Sequence, residues 1–327
     1  MRNTILISPF FAPDDSGIPL YNTSTIEYIA ENESEVTVLT GVPFYPQWKI
    51  KPPYDTSKRF FNEKNGKINV FRVKMYVPKT PTFIKRIIQI IHFVLLSLKF
   101  LFKLPKQSKI LVVVPYTSCI VIALLVKFFR GGKIWCHIQD FEFDAAAQVM
   151  NFKFLKRVLF KIESALLNRC DKVSTISNAM MTKLASKTNT PSYLFANFID
   201  TNSFRHKTTQ HPYHTCLKKP HLLYSGNIGE KQDWELFARF CKIAEGKLNI
   251  TIVGDGAMRT WVENQIEDIE GVFLKPPVPF DEVSSLLNSF DGHLLFQKNS
   301  IVDSVMPSKL LGMMLSQKPC FLLFIYF

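Results

Sequence analysis

The stretch "SKILVVVPY", Ser108–Tyr116, decides the fold, because it is apolar at most positions and rich in β-branched residues. A strand with one face in water alternates apolar and polar residues, whereas a strand buried on both faces forms a near-continuous apolar run. The run is followed by a helix-like segment, Thr117–Phe129, then by Gly131-Gly132 and a second strand-like run, "KIWCHIQD". This order is typical of parallel strands joined by crossover helices.

The alternation continues outward from this stretch in both directions. Toward the N-terminus lie "TILISPFF", a helix from about Leu20 to Glu31, "SEVTVLTG" and "INVFRVKMYV". Toward the C-terminus lie a helix at about Lys153–Asn168, "DKVSTIS", a helix from Asn178 and "SYLFANFI". We therefore predict an α/β fold with a doubly wound sheet, in which ligands bind at the carboxyl ends of the strands.

A polar, histidine-rich stretch separates two such regions. "DTNSFRHKTTQHPYHTCLKKP" predicts a surface linker over residues 201–220, between an N-terminal domain, 1–200, and a C-terminal domain, 221–327. No neighbouring acidic or cysteine cluster completes a metal site with its histidines. After the linker come strand-like runs such as "HLLYSGN" and "LNITIVGDG", each followed by a helix-like segment. The sequence ends on "KPCFLLFIYF", so we expect an incomplete, truncated second domain.

Composition narrows the class of partner. The 327 residues carry a net charge of +13, which favours nucleotide phosphates, acidic lipid head groups or nucleic acid. The lysines and arginines are scattered without a run of five, so no nucleic-acid-binding arm is expected. The six cysteines lie far apart without a C-x-x-C pair, which argues against a zinc ribbon and indicates a reducing, cytoplasmic compartment.

One segment resembles a membrane element. "TFIKRIIQIIHFVLLSLKFLFKL", Thr82–Leu104, is too polar for a confident span, and it predicts a basic amphipathic helix lying on an anionic membrane surface. The alternative is an ordinary core-facing helix with lysines at its rim.

A phosphate site is predicted in "HLLYSGNIGEKQDWE", His221–Glu235. Two glycines after a strand permit close approach, a helix start offers N–H groups, and Lys231 adds positive charge. The alternative is a tight turn followed by a solvated lysine. The loop after the first strand contains Gly17 but no G-x-G-x-x-G, which disfavours a dinucleotide-binding dehydrogenase.

Five motifs together resemble one enzyme family. "PFYPQW" (Pro43–Trp48), "HIQDFEFDAA", "LYSGNIGEKQ", "VGDGAMR" and "MPSKLLGMMLSQKP" resemble bacterial family 4 glycosyltransferases of the GT-B fold. The resemblance is to the branch that makes colanic acid and O-antigen, including fucosyl- and N-acetylfucosaminyl-transferases. It implies two Rossmann-like domains facing a cleft. It also implies transfer from a GDP- or UDP-linked sugar, without metal or cofactor and with retention of the anomeric configuration.

The resemblance also assigns residues to roles. It implies catalytic roles for His137, Asp140 and Lys231. It implies donor binding by Gly17, Gly226, Asn227, Gly229, Lys231, Gly254, Asp255, Gly256, Ser308 and Lys309. For His137 the alternative is a structural histidine, hydrogen-bonded at a strand end. The pair Glu142 and Asp144 has the spacing of a metal-binding D-x-D, but we interpret both as helix-start residues.

Two departures from the family pattern affect the site. Asn227 stands where the family carries an arginine, so Lys231 would have to supply more of the charge. The acidic positions of the family's E-x7-E motif correspond to Ser304 and Gly312, which leaves Asp303 as a candidate for the ribose contact.

The resemblance implies a glycosyltransferase that adds a sugar to a lipid-linked oligosaccharide on undecaprenyl diphosphate, at the inner face of the cytoplasmic membrane. Two alternatives stay open. One is a GT-B epimerase or phosphorylase acting on similar ligands. The other is a truncated, inactive remnant or a sugar-nucleotide-binding scaffold.

Overall fold

The computed structural model describes residues 3–14, 17–32, 35–45, 47–144, 153–199, 210–214, 218–298 and 309–323. The chain divides into two compact units, Met1–Asn197 and Phe198–Phe327. The division falls close to the end of the N-terminal domain that we predict at residue 200.

The first unit is built on an eight-stranded sheet. Its strands are β1 (Asn3–Ile7), β2 (Glu35–Gly41), β3 (Phe60–Asn65), β4 (Ile68–Val73), β5 (Ser108–Val114), β6 (Gly132–Ile138), β7 (Lys172–Thr175) and β8 (Ser192–Leu194). They lie in the order β3-β4-β2-β1-β5-β6-β7-β8, and every neighbouring pair is parallel except β3 with β4. The direction of winding reverses between β1 and β5, which is where doubly wound sheets bind their ligands.

Helices connect these strands. They are α1 (Ile18–Asn32), α2 (Phe83–Ser97) with a 3-10 extension (Leu98–Lys103), α3 (Cys119–Arg130), α4 (Lys153–Leu167) and α5 (Asn178–Ala185). Strand β5 is buried at every position except Lys109. It pairs with β1 on one side and β6 on the other, and α3 packs against it. The prediction of a strand buried on both faces is therefore confirmed.

The second unit contains a five-stranded parallel sheet. Its elements are β9 (His221–Ser225), α6 (Trp234–Ala244), β10 (Asn249–Val253), α7 (Arg259–Ile266), β11 (Val272–Lys275), α8 (Val283–Ser289), β12 (Gly292–Phe296), α9 (Lys309–Leu315) and β13 (Cys320–Leu323). The order is β11-β10-β9-β12-β13, so the winding reverses between β9 and β12. An aromatic cluster of Tyr224, Trp234, Phe237 and Phe296 fills the core beside β9.

Part of the predicted linker packs into the second unit. The backbone N–H of His211 donates to Ser289 Oγ at 2.7 Å, and its ring lies 3.3 Å from a carboxylate oxygen of Glu282. Tyr213 packs against the core beneath α8. Residues 210–214 therefore belong to the second unit, where His211 is buried and Tyr213 and His214 are partly buried. Residues 201–209 and 215–217 lie outside the described residues.

Within the described part of the chain, no helix combines the length and the apolar character that a membrane-spanning segment requires.

Candidate functional site

Two glycine-containing loops meet at the carboxyl edge of the second sheet. One loop follows β9 and contains Gly226, Asn227 and Gly229, and the other follows β10 and contains Gly254–Gly256. Because β9 and β10 are parallel neighbours, both loops leave the same edge of the sheet. Six of the predicted donor-binding residues are therefore brought together.

The glycines let the two loops interlock. A Cβ atom at Gly254 would lie 1.9 Å from the carbonyl oxygen of Gly226, and one at Gly256 would lie 2.3 Å from that of Ile228. The N–H of Ile228 donates to the carbonyl of Asp255 at 2.8 Å, and the N–H of Met258 donates to that of Ile228 at 2.9 Å. Gly254 and Gly256 thus hold the loops in contact, because only a residue without a side chain fits there.

Lys309 lies against this glycine edge. Gly226 adopts a φ of 143°, and a Cβ atom there would lie 3.5 Å from Lys309 Nζ. The same ammonium lies 4.1 Å from the centre of the Tyr224 ring. No carboxylate of the described residues pairs with it. Burial lowers the pKa of Lys309 to about 8, with the nearby thiol of Cys320 acting in the opposite direction.

An ammonium held in this way favours an anion. Loss of water around it disfavours its charged form, and a neighbouring phosphate would restore that form. The contact with Gly226 was not expected from the sequence, because it joins residues that lie 83 positions apart. The only sequence signal was the resemblance of the motif that contains Lys309.

Lys231 lies on the same loop but in a different environment. Its side chain is exposed, and its backbone carbonyl accepts from the N–H of Lys298, which follows β12. The charge of Lys231 is therefore placed near the point where the winding of the sheet reverses.

The start of α6 offers fewer free N–H groups than predicted. Asp233 caps the helix by accepting from the N–H of Leu236 at 3.0 Å. The N–H of Gly229 donates to Gln232 Oε1 at 3.2 Å, and Trp234 Nε1 donates to the carbonyl of Gly229 at 2.8 Å. The N–H groups of Gly229 and Leu236 are therefore not available to an anion.

Asn227 folds back over the loops. A Cβ atom at Gly229 would lie 2.6 Å from Asn227 Nδ2, and one at Gly256 would lie 2.7 Å from Asn227 Oδ1. Its backbone carbonyl accepts from the hydroxyl of Tyr224 at 2.8 Å. The exposed side chain thus lies over the two loops, beside Gly229 and Gly256, in place of the arginine that the resemblance would place there.

Of the other positions predicted to bind the donor in this unit, only one belongs to the part of the chain that the structure describes. Ser308, Ser304 and Asp303 lie outside the described residues. Gly312 is buried within α9.

In the first unit, Gly17 precedes α1 with a φ of 68° and with open space around its Cβ position. The sequence reasoning missed its neighbour Asp14, which is buried and accepts from the N–H groups of Phe44 and Tyr45 at 3.2 Å. Asp14 also forms a 2.8 Å ion pair with Lys51. It therefore fastens the loop after β1 to the "PFYPQW" loop after β2.

His137 lies near the end of β6 and is only 4% exposed. Gln139 Nε2 donates to its Nε2 at 2.9 Å, so the ring carries its proton on Nδ1, which lies 2.9 Å from Ser174 Oγ. Burial lowers the pKa of His137 to about 4, which keeps the ring neutral. This geometry favours the structural alternative, because both ring nitrogens have partners inside the unit.

The acidic residues after β6 have separate partners. Asp140 is exposed. Glu142 accepts from the N–H groups of Tyr116 and Thr117, at 3.2 and 2.8 Å, and burial raises its pKa. Asp144 pairs with Lys183 and Lys187. Residues 142–144 are helical, as expected, and the described residues contain no cluster of three His, Cys, Asp or Glu that could hold a metal.

Several solved structures have the same architecture. The match with sucrose-phosphate synthase from Thermosynechococcus elongatus covers 98% of this chain and 81% of the synthase chain, with a TM-score of 0.72 and 13% identity. The match with HepE from Anabaena, solved with UDP-glucose, covers 98% of this chain and 80% of the HepE chain, with a TM-score of 0.61 and 11% identity. The match with the lipopolysaccharide outer core galactosyltransferase WaaB covers 98% of this chain and 80% of the WaaB chain, with a TM-score of 0.58 and 13% identity. The fold is GT-B, as predicted.

The two doubly wound units thus define the fold class as GT-B. No protein-family model matches the chain. A curated relative, WcaI of Escherichia coli K12, whose name assigns it to colanic acid biosynthesis as a glycosyl transferase, is 30% identical over 319 residues. The match covers 92% of this chain and 78% of WcaI. The chain belongs to the bacterial glycosyltransferase family that includes WcaI.

Proposed function

We propose that the protein is a retaining glycosyltransferase that moves a sugar, such as fucose or N-acetylfucosamine, from a GDP- or UDP-linked donor to a lipid-linked oligosaccharide. The name of WcaI supports a place in the biosynthesis of a surface polysaccharide, such as colanic acid, O-antigen or capsule. The complex of HepE with UDP-glucose supports a nucleotide sugar as the donor class.

The position of Lys309 against the backbone of Gly226 carries the proposal. During transfer the bond from the anomeric carbon to the phosphate oxygen breaks, and its electron pair goes to the leaving diphosphate. The acceptor hydroxyl oxygen forms the new bond to the anomeric carbon, and its proton passes to the departing phosphate oxygen. Fixed cations stabilise the charge that develops on the diphosphate, so Lys309 and Lys231 would lower the barrier. Because these lysines supply positive charge, we propose no metal or cofactor.

The other residues divide into two groups under this proposal. Gly226, Gly229, Gly254 and Gly256 shape the edge that receives the nucleotide. Asp140 is exposed after β6 and stays a candidate for contact with the acceptor.

We also propose that the protein works on the cytoplasmic side of the membrane, where undecaprenyl-diphosphate-linked acceptors would be reached from an anionic bilayer surface. The basic segment Thr82–Leu104 supports this location, because amphipathic basic helices bind anionic lipid.

A transfer assay tests the proposal. The protein is incubated with GDP- and UDP-linked sugars and with lipid-linked oligosaccharide, and NMR of the product gives the anomeric configuration. We expect acceptor-dependent transfer with retention. Binding of nucleotide without turnover would favour a scaffold, and a changed sugar nucleotide formed without acceptor would favour an epimerase.

A further inference from the structure

Helix α2 has an unusual distribution of side chains. Gln89 and Ser97 are fully buried, whereas Ile84 and Leu95 are 69% and 60% exposed. A helix on the surface of a water-soluble domain normally buries its apolar stripe and exposes its polar one. The outward face of α2 is therefore the more apolar one.

Specific contacts fix α2 in this orientation. The hydroxyl of Tyr116 donates to Gln89 Oε1 at 2.8 Å, and the Phe93 ring packs edge-on against Tyr116. On a neighbouring face, the N–H of Tyr76 donates to His92 Nδ1 at 2.8 Å. Turning the isoleucines inward would break these bonds, so their exposure is built into the fold.

The apolar surface continues onto a second element. Phe102 of the 3-10 extension lies 5.6 Å from Phe129 of α3, measured between ring centres, and Phe129 lies 4.8 Å from Phe128. Phe128 is 80% exposed. We call this surface the docking face. It comprises the exposed residues Phe83, Ile84, Ile87, Ile88, Ile91, Leu95, Leu98, Phe102, Val121, Phe128 and Phe129.

The net positive charge of the chain is concentrated in the segment that contains this face. Residues 64–139 contain 14 of the 40 lysines and arginines and none of the 27 aspartates and glutamates. The rest of the chain is close to neutral, with 26 basic and 27 acidic residues. Arg86, Lys99, Lys103 and Lys106 are exposed on or beside the docking face. The basic residues are still scattered without a run of five, and the local excess of positive charge comes from the absence of acidic residues.

We propose that the docking face lies flat on an anionic lipid bilayer, with its isoleucine and phenylalanine side chains in the outer acyl region and its cations against lipid phosphates. An exposed apolar helix face bordered by lysine and arginine has the chemistry of an interfacial helix. Helix α2 alone would cover about 22 Å of membrane surface, at 1.5 Å per residue. A second copy fits this face poorly, because a two-fold contact would bring two acid-free basic segments together.

The docking face begins beside the carboxyl edge of the first sheet. The guanidinium of Arg86 lies 5.9 Å from the centre of the Trp48 ring, which belongs to the loop after β2. A bilayer on this face would bring lipid head groups, and a lipid-linked diphosphate among them, to that edge. This consequence rests on the proposed function, whereas lipid binding itself does not.

Vesicle sedimentation with the whole chain tests the proposal. The vesicles contain phosphatidylcholine with one quarter phosphatidylglycerol, or phosphatidylcholine alone. The apolar variant carries Phe102→Ser and Phe128→Ser, and the charge variant carries Lys85→Gln, Arg86→Gln, Lys99→Gln and Lys103→Gln. The matched controls are Ile243→Ser, an exposed apolar position in α6, and Lys218→Gln, Lys219→Gln, Lys242→Gln and Lys247→Gln.

We expect the apolar variant to lose at least about tenfold in partitioning onto anionic vesicles. The charge variant should lose at least a hundredfold at low salt, because each surface cation contributes about fivefold. The controls should partition as the wild type does. Equal partitioning of all variants would overturn the proposal, as would a concentration-dependent dimer that is lost in the apolar variant without any vesicle binding.

Calorimetric titration with UDP and GDP separates this proposal from the proposed function. The docking-face variants should bind nucleotide as the wild type does, and their thermal unfolding should confirm that they fold. Vesicle binding without nucleotide binding would refute the proposed function and leave the docking face standing.

Discussion

Lys309 is the single residue whose surroundings most clearly indicate an anionic ligand. Its ammonium lies against the aromatic ring of Tyr224 and the backbone of Gly226, and no carboxylate of the described residues neutralises it. Burial brings its pKa to about 8, well below the ordinary value near 10.5. A bound diphosphate would stabilise the charged form and raise that pKa again.

Nucleotide affinity should therefore depend on pH. At pH 7 Lys309 is mostly charged, whereas at pH 8.5 the free protein has largely lost that proton and must regain it to bind a diphosphate. We expect UDP or GDP to bind roughly fourfold more weakly at pH 8.5 than at pH 7. Titration calorimetry measures this loss. Lys309→Gln should remove the pH dependence, whereas Lys247→Gln, an exposed lysine outside the site, should keep it.

Substitution of His137 tests whether this buried histidine has a structural role. His137→Ala would remove one hydrogen bond from Ser174 and one from Gln139, which keep their bonds to Trp135 and Asn197, and we expect the free energy of unfolding to fall by about 1–3 kcal/mol. Asn at this position can donate to Ser174 and should restore part of the loss. Urea unfolding measures the change. A variant that unfolds as the wild type does but turns over donor more slowly would contradict the structural assignment.

The same residue links stability to pH. Because the pKa of His137 is about 4 in the folded protein and near 6.5 in the unfolded chain, the unfolded chain binds more protons as the pH falls. The contribution of the neutral ring is present above pH 6.5 and is lost between pH 6.5 and 4. Between pH 6.5 and 4, the His137→Ala variant should therefore lose less stability than the wild type. Burial also lowers the pKa of His293 to about 4, so His293 contributes the remaining loss.

At the scale of elements, the site depends on two loops that touch through their backbones. The loop after β9 and the loop after β10 are joined by three backbone hydrogen bonds between residues 226–228 and 253–258. The close approach needs glycine at residue 254, because a side chain there would overlap the carbonyl of Gly226.

Gly254→Ala should therefore separate the loops. We expect a loss of about 3 kcal/mol in the free energy of unfolding, typical of severe overpacking, and loss of nucleotide binding. The control is Gly246→Ala, where the φ of 74° is also unfavourable for alanine but no atom lies within 4 Å of the added carbon. It should cost about 1–2 kcal/mol and leave nucleotide binding intact. Equal effects on binding would show that the loop contact does not matter.

Most elements could be predicted from the sequence, because buried parallel strands leave long apolar runs. Strand β3 was missed, since it is an edge strand with few buried side chains, and only its antiparallel pairing with β4 defines it. Helix α6 begins at Trp234, because Asp233 provides the cap. Such boundaries depend on side-chain hydrogen bonds that hydrophobic periodicity does not report.

At the scale of the whole molecule, the candidate anion-binding residues and the docking face lie in different units. The second unit holds the glycine loops, Lys231 and Lys309. The first unit holds the docking face and all of the excess positive charge. The glycine turns could be predicted from the sequence, because strand–glycine–helix patterns have a local cause. The position of Lys309 against Gly226 and that of the Asn227 side chain over Gly256 could not, because both arise from contacts between distant segments.

The central claim is that the lysines beside the glycine loops bind the diphosphate of a nucleotide sugar. Calorimetric titration of UDP and GDP into the wild type and into a Lys231→Gln, Lys309→Gln double variant tests it most directly. We predict that the wild type binds at least one of the two nucleotides and that the double variant binds it at least about a hundredfold more weakly, at roughly tenfold per lost charge-assisted contact. Equal affinity of the two proteins at pH 7 would contradict the account.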